Sequence, residues 1–268
     1  MIKDITIGQY FPGKSPIHRM DSRMKIVLTL VFIVMLFVAD SMWGLLVGIG
    51  FTAFTYAVSK IPAKMILKSL KPIVPIIIFT AILNLFFIRT GNVLLHAGFV
   101  KITDNGVNTA VFMIVRIICL IVGTSLLTYT TSPIDLTDAI ERLLSPLKKI
   151  KVPVHELAMM MTIALRFIPT LIEETDKIMS AQKARGADME TGSLVQRAKA
   201  LIPVLIPLFV SSFRRAEELA LAMECRCYHG GEGRTRMKQL KTSAVDYLAL
   251  AVTAAFFAGV IVINKFFK

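Results

Sequence analysis

Hydrophobic positions in this chain come as long unbroken runs, at 26–39, 43–58, 73–88, 107–130 and 244–263, instead of the alternation expected of amphipathic strands. Runs of this kind predict five membrane-spanning helices. The first three are shorter than the roughly 20 residues needed to cross about 30 Å of hydrocarbon. They are therefore expected to extend into their flanks, with Arg23, Lys25 and Lys60 snorkelling towards headgroups. A hairpin that does not fully cross remains open for 26–58.

Between the fourth and fifth runs the pattern changes from unbroken to periodic. Ser132 and Pro133 stand as N-cap and first residue of an amphipathic helix carrying Ile134, Leu136, Ile140, Leu143 and Leu144 and ending near Ser145 and Pro146. "VPVHELAMMMTIALRFIPTLIEETDKIMSAQKARG" then predicts one helix of about 30 residues. After the turn "ADMETGS", "LVQRAKALIPVLIPLFVSSFRRAEELALAMECRC" predicts a second of similar length. Pro169, Pro203 and Pro207 predict kinks within them. Each helix carries a narrow seam suited to packing on another helix. In the first it is Leu157, Met161, Ala164, Ile168, Leu171, Thr175 and Ile178; in the second, Ile202, Ile206, Phe209, Phe213, Ala216, Ala220 and Met223. Their first halves are nearly all apolar and their second halves are charged, so each is expected to start against the membrane or the helix bundle and finish in the cytoplasm.

Both helices end in a small residue, an arginine and a small residue: Ala184-Arg185-Gly186 and Cys225-Arg226-Cys227, 41 positions apart. One such triplet alone reads as a cap sooner than as a site, because cations favour helix C-termini and glycine supplies the left-handed stop. Two copies on helices of matched length point to docking, since arginine makes bidentate bonds to carboxylates and small neighbours allow close approach.

Composition supports a membrane protein: 55% of the 268 residues are hydrophobic, 18% are charged, and the net charge is +13. The basic excess has no aromatic-interleaved platform that would suit nucleic acid, and none is expected as a partner; orientation in a bilayer explains it better. Five Lys/Arg precede the first run and four lie at 60–71, whereas Arg89, Lys101, Lys265 and Lys268 are all that the opposite side carries. This predicts the N-terminus inside and the C-terminus outside. The expected architecture is all-α. It has about four spans in 1–130, a cytoplasmic coupling domain of one short and two long amphipathic helices in 131–240, and a final span in 241–268. No removable leader is expected before the first span.

Signals for catalysis are missing from the sequence. His18, His96, His155 and His229 are scattered, and no phosphate-cradling glycine loop occurs, so neither enzymatic activity nor a cofactor is expected. Cys225, Cys227 and His229 alternate, but their spacing is not that of a four-ligand zinc site. Asp40, Asn84 and Arg116 lie at or near membrane depth, where polar groups are costly; Asp40 reads as an interfacial turn, and Arg116 as a partner for a carboxylate or a helix carbonyl. Gly44 and Gly48 form a close-packing G-x-x-x-G. The basic segment at 228–241 reads as a headgroup-facing collar.

The paired tips, with "FPGKSPIHRMDSRMK" and "YHGGEGRTRMK", resemble the transmembrane T component (EcfT family) of energy-coupling factor vitamin transporters over nearly the whole length. Ala184, Arg185 and Gly186 match the family's Ala-Arg-Gly motif outright; Cys225, Arg226 and Cys227 retain the arginine between two small side chains. The resemblance implies a non-catalytic coupling subunit in a bacterial cytoplasmic membrane. Its partners would be two ABC-type ATPases, each gripped by one arginine tip, and a vitamin-binding S component, with Met159, Met160 and Met161 as contacts to the latter. A rival reading from the residues is a self-contained channel or secondary transporter with Arg116, Asn84 and Asp40 along its path; a membrane-bound enzyme is a third.

Overall fold

The computed structural model describes residues 10–88, 90, 93–97, 100–187, 191, 193–231 and 240–266. They are helical apart from turns, connecting segments and a short antiparallel hairpin, Val93–Ala97 with Val100–Thr103. The chain divides into two compact units, one made of Gly8–Ala139 with Gln239–Lys268, the other built on Ile140–Lys238.

The first unit holds α1 (Pro16–Arg19), α2 (Ser22–Val38), α3 (Met42–Ser59), α4 (Ala63–Leu70), α5 (Val74–Phe87), α6 (Asp104–Thr130) and α10 (Ala244–Phe266). Short polar residues start these helices where the sequence changes from polar to apolar. Asp21 accepts from the Arg23 N–H, Ser41 from Trp43 and Thr103 from Gly106, each relieving one orphan donor of a first turn. One 3₁₀ turn, Lys71–Ile73, joins α4 to α5, so a single helical run extends over Ala63–Phe87. The third span thus begins ten residues before the apolar run that announces it. Its early turns are amphipathic, and prolines 72 and 75 fall where a 3₁₀ turn and a new helix start tolerate a missing N–H.

Length and apolarity suited to crossing a membrane are met by α3, the α4–α5 run, α6 and α10, and also by two long helices of the second unit. α2, with 17 residues, is slightly shorter. No residue of α5 is buried, and Phe79 and Phe87 stand open on its surface, as expected where hydrocarbon takes the place of protein neighbours.

Phe32, Met35, Leu36, Leu45, Phe51 and Val260 form the core of this unit. Close approach depends on glycine. A Cβ on Gly48 would lie 2.6 Å from Leu36 Cδ2, and one on Gly44 would lie 2.9 Å from Asn264 Oδ1, so the G-x-x-x-G of α3 receives α2 on one residue and α10 on the other. The Phe32 ring likewise occupies the space a side chain at 123 would need.

A buried polar knot ties the helix ends. Asp246, 1% exposed, accepts from the backbone N–H of Asp21 (2.9 Å) and of Ser243 (2.6 Å). Asp21 in turn pairs with Arg23 at 2.6 Å, and the Lys25 ammonium donates to the Thr130 carbonyl at 2.8 Å. Lys25 is therefore buried and bonded rather than snorkelling, because the Thr130 carbonyl at the end of α6 accepts from its ammonium. Lys60 is exposed, as expected.

The second unit contains α8 (Val154–Ala184) and α9 (Leu194–Glu224), each of 31 residues and each continuous through its prolines. α7 (Pro133–Leu143) precedes them; Ser132 accepts from the Asp135 N–H at 3.1 Å, so the expected cap and start are both present. A full capping box opens α9, with Ser193 and Gln196 exchanging bonds.

Two substitutions test this packing. Asp246→Ala removes the acceptor of the buried Asp21 N–H and of the part-buried Ser243 N–H and lowers stability by about 1–3 kcal/mol, while Asp246→Asn, which keeps one acceptor, is milder; thermal unfolding in detergent reads both. Gly123→Leu, forced against Phe32, costs about 1–3 kcal/mol in the same assay.

Candidate functional site

α8 and α9 stop in the same way. After Ala184, the Gly186 N–H bonds to the Lys183 carbonyl (3.0 Å) and the Ala187 N–H to the Gln182 carbonyl (3.0 Å). After Glu224, the Cys227 N–H bonds to the Glu224 carbonyl (2.8 Å) and the Tyr228 N–H to the Met223 carbonyl (3.1 Å). Each pair is a Schellman closure, with the left-handed residue donating across the inner bond and its successor across the outer one. The two sets of bonds superpose under the 41-residue offset.

The left-handed residue is Gly186 at φ 85° in one tip and Cys227 at φ 55° in the other. Glycine takes this conformation freely, whereas a side chain there costs roughly 1–2 kcal/mol. The arginine lies immediately before it in both. Arg185 and Arg226 are exposed, and neither side chain has a hydrogen bond or ion pair among the described residues. Main-chain N–H groups thus close both helices, and the guanidinium groups are not consumed in capping. Cys225 and Cys227 are free, exposed thiols, and a Cβ on Gly186 would meet nothing within 4 Å.

The two helices cross antiparallel. Glu174, in the charged second half of α8, accepts from the Ser211 hydroxyl and from Arg215 Nη2 at 2.8 Å. Eight residues further along α8, Gln182 Nε2 donates to the Pro203 carbonyl at 3.3 Å. Pro207 has no N–H to offer that carbonyl, so a helix interrupted by proline exposes an acceptor that its neighbour fills. The Ser211 hydroxyl, followed by the Arg215 guanidinium, holds the Glu174 carboxyl below the ordinary glutamate range despite the opposing effect of burial.

This contact uses a different face of α9 from the predicted seam. Val204 is buried and Leu208, Ser211 and Arg215 are half-buried, whereas Ile202, Ile206, Phe209 and Phe213 are exposed, Phe213 at 72%. Polar bonds to α8 outweigh apolar periodicity here and turn the seam outward. On α8, Met159 is half-buried, with Met160 and Met161 at 54% and 44% exposure.

A further cluster escaped sequence reasoning. His155 Nδ1 lies 3.0 Å from Glu141 Oε1, and the loop after α9 returns to it so closely that a Cβ on Gly231 would be 2.5 Å from the imidazole ring. Nothing in the spacing of these residues signals the meeting, because it depends on a return of the chain over some 75 positions. Of the basic collar, Arg234, Arg236 and Lys238 lie outside the described residues; Lys241 is exposed.

Two of the three polar groups read at or near membrane depth bond to backbone carbonyls. Arg116 donates to the Ala39 carbonyl at 2.5 Å with its guanidinium 4.5 Å from the Phe112 ring, so of its two expected partners it takes a helix carbonyl. Asn84 bonds the Thr80 carbonyl one turn back at 2.9 Å, and Asp40 follows the end of α2, exposed. No hydrogen bond or ion pair joins the three.

Known proteins give the same picture over the full length. The CbiQ family, described as a cobalt transport protein, matches residues 13–237. An energy-coupling factor transporter transmembrane protein EcfT from Ruminiclostridium cellulolyticum is 57% identical over 267 residues, all of both chains. The EcfT proteins of Clostridium kluyveri, 58% identical over 93% of each chain, and Bacillus subtilis, 46% identical over 95% of this chain and 97% of its own, match similarly. With identities this high across whole chains and helices built for a bilayer, the chain belongs to the EcfT family, the transmembrane proteins of energy-coupling factor transporters.

Proposed function

We propose that this transporter membrane subunit carries no catalysis of its own and couples two ATPase subunits of the ABC type to a vitamin-binding S component. The observation that carries the reading is the pair of matched tips, each presenting an exposed arginine that its own helix does not use. Arg185, between Ala184 and Gly186, and Arg226, between Cys225 and Cys227, each enter an acidic groove on one ATPase. Small neighbours let the groove approach the backbone, and the planar guanidinium meets carboxylates through paired bonds.

The rest of the chain supports this role. The apolar faces of α8 and α9, including Met160, Met161, Phe209 and Phe213, are exposed in the chain alone and suit a greasy partner such as the S component, with Met159 at the margin of that surface. The charge asymmetry of the short loops supports an N-terminus in the cytoplasm and a C-terminus outside. Residues 1–130 and 241–268 then form the membrane portion, and 131–240 the cytoplasmic coupling helices. The S component selects the vitamin. The channel reading has less support, because Arg116 and Asn84 each bond to carbonyls of their own chain.

Arg185→Glu combined with Arg226→Glu abolishes co-purification of the ATPases and vitamin uptake in reconstituted vesicles while the thermal unfolding of the subunit is unchanged. Each reversal removes about 2–5 kcal/mol of docking energy. Full assembly and transport in the double variant would sink the proposal, and solute flux through the subunit reconstituted alone would favour the channel.

The hand of the turn gives a second check. Cys227→Gly raises stability by about 1 kcal/mol and keeps docking, whereas Gly186→Cys lowers it by a similar amount. Equal effects of the two changes would show that the turns are not equivalent in this way.

A further inference from the structure

Two helices that touch at one point can pivot; two that touch at two points cannot unless one contact opens. α8 and α9 touch through polar groups at two places. At the first, the Glu174 carboxylate takes both Ser211 and Arg215, with Arg215 at 2.8 Å. Such a contact is charge-assisted, and its acceptor is filled from two successive turns of α9. At the second, about 12 Å along α8, a neutral amide donates to the Pro203 carbonyl at 3.3 Å in an exposed position. A neutral bond open to water is worth roughly half a charge-assisted one, so this contact gives way first.

The first contact lies well inside both helices. At 1.5 Å per residue, α8 runs about 16 Å from Glu174 to Arg185 and about 30 Å back to Val154. α9 runs about 20 Å from the Ser211–Arg215 turn to Arg226 and about 29 Å back to Leu194. Each helix is therefore a lever with a short arm ending in an arginine and a longer arm carrying the exposed apolar face. An angular change at the crossing moves the apolar ends about 1.5 to 1.8 times as far as the arginine ends.

We propose that Glu174, with Ser211 and Arg215, is the fulcrum of the α8–α9 pair, and that Gln182 on the Pro203 carbonyl is a latch that holds the pair at its resting angle and releases when the tips are driven. The inference rests on the docking role given above to the two arginines. It assigns positioning roles to residues that touch neither ATP nor vitamin. Pro207 enters by its chemistry, because an ordinary residue there would donate to the Pro203 carbonyl within the helix and leave Gln182 to share an acceptor it now has to itself.

The fulcrum is tested by charge exchange in the complete complex of this subunit, both ATPases and an S component in liposomes. Glu174→Arg and Arg215→Glu each leave the complex assembled and hydrolysing ATP while uptake per ATP falls about tenfold, and the double exchange restores it to within about threefold. A merely structural role would lower assembly and hydrolysis together and would not be rescued. Unaltered uptake in both single variants, or no rescue in an assembled double variant, overturns the fulcrum.

The latch is tested on the subunit alone in detergent, so failure of ATPase docking cannot be mistaken for failure of the latch. Spin labels are placed on Cys225 and on Ser180→Cys in a Cys227→Gly background, with the buried Cys119 left in place. Gln182→Leu broadens the distance distribution between the labels, and adding Glu174→Leu shifts its mean as well. An unchanged width in Gln182→Leu overturns the latch.

Discussion

Asp246 sets the register of the membrane unit. Helices in a bilayer slide on one another over surfaces that are apolar on both sides, so side-by-side contact says little about how far one helix is displaced along its axis. Polar groups at the ends supply that information. The Asp246 carboxylate begins α10, binds the N–H of Asp21 at the start of α2, and so aligns the first and last helices of the unit. Arg23 extends the knot to the Leu240 carbonyl, and Lys25 extends it to the last turn of α6 through Thr130. With the ends aligned, the glycines of α3 and α6 meet the side chains that need their space, Leu36 at Gly48 and Phe32 at Gly123.

Much of this arrangement can be read from the sequence where one physical effect dominates. The spans are legible because hydrocarbon demands long apolar runs, and the start of α7 is legible because Ser132 and Pro133 suit the first turn of a helix and little else. Gly44 and Gly48 are legible as a close-packing stripe, although not which helices they receive. The continuous run from Ala63 is hidden, because its first eight residues are amphipathic and interrupted by lysines. The seam of α9 is misread because its apolar period is stronger than that of the face turned to α8, where a carboxylate, a hydroxyl, a guanidinium and an amide bond beside only a few apolar residues such as Val204. Lys25 is misread as snorkelling because the acceptor that draws it inward comes from residue 130, more than a hundred positions away.

The tips divide their work between backbone and side chain. Closure of each helix is a matter of N–H groups and carbonyls and of one residue with a positive φ. What faces outward is then left to the guanidinium. The sequence contained the arginines and their spacing, but a cap and a docking group are spelled with the same letters. In the structure the capping bonds are complete without the side chain, the observation on which the proposed docking rests.

Cys227 carries a wider consequence. A turn of the same hand is made by glycine in one tip and by cysteine in the other, with the corresponding four main-chain atoms engaged in each. The motif is therefore a shape before it is a spelling. A residue able to accept the left-handed conformation can stand in the third place, whereas an arginine moved one position earlier would leave the closure intact and point the charge elsewhere. Comparing such tips by letters alone would score the second as a degenerate copy, while comparing their torsion angles and hydrogen bonds scores the two as one device used twice.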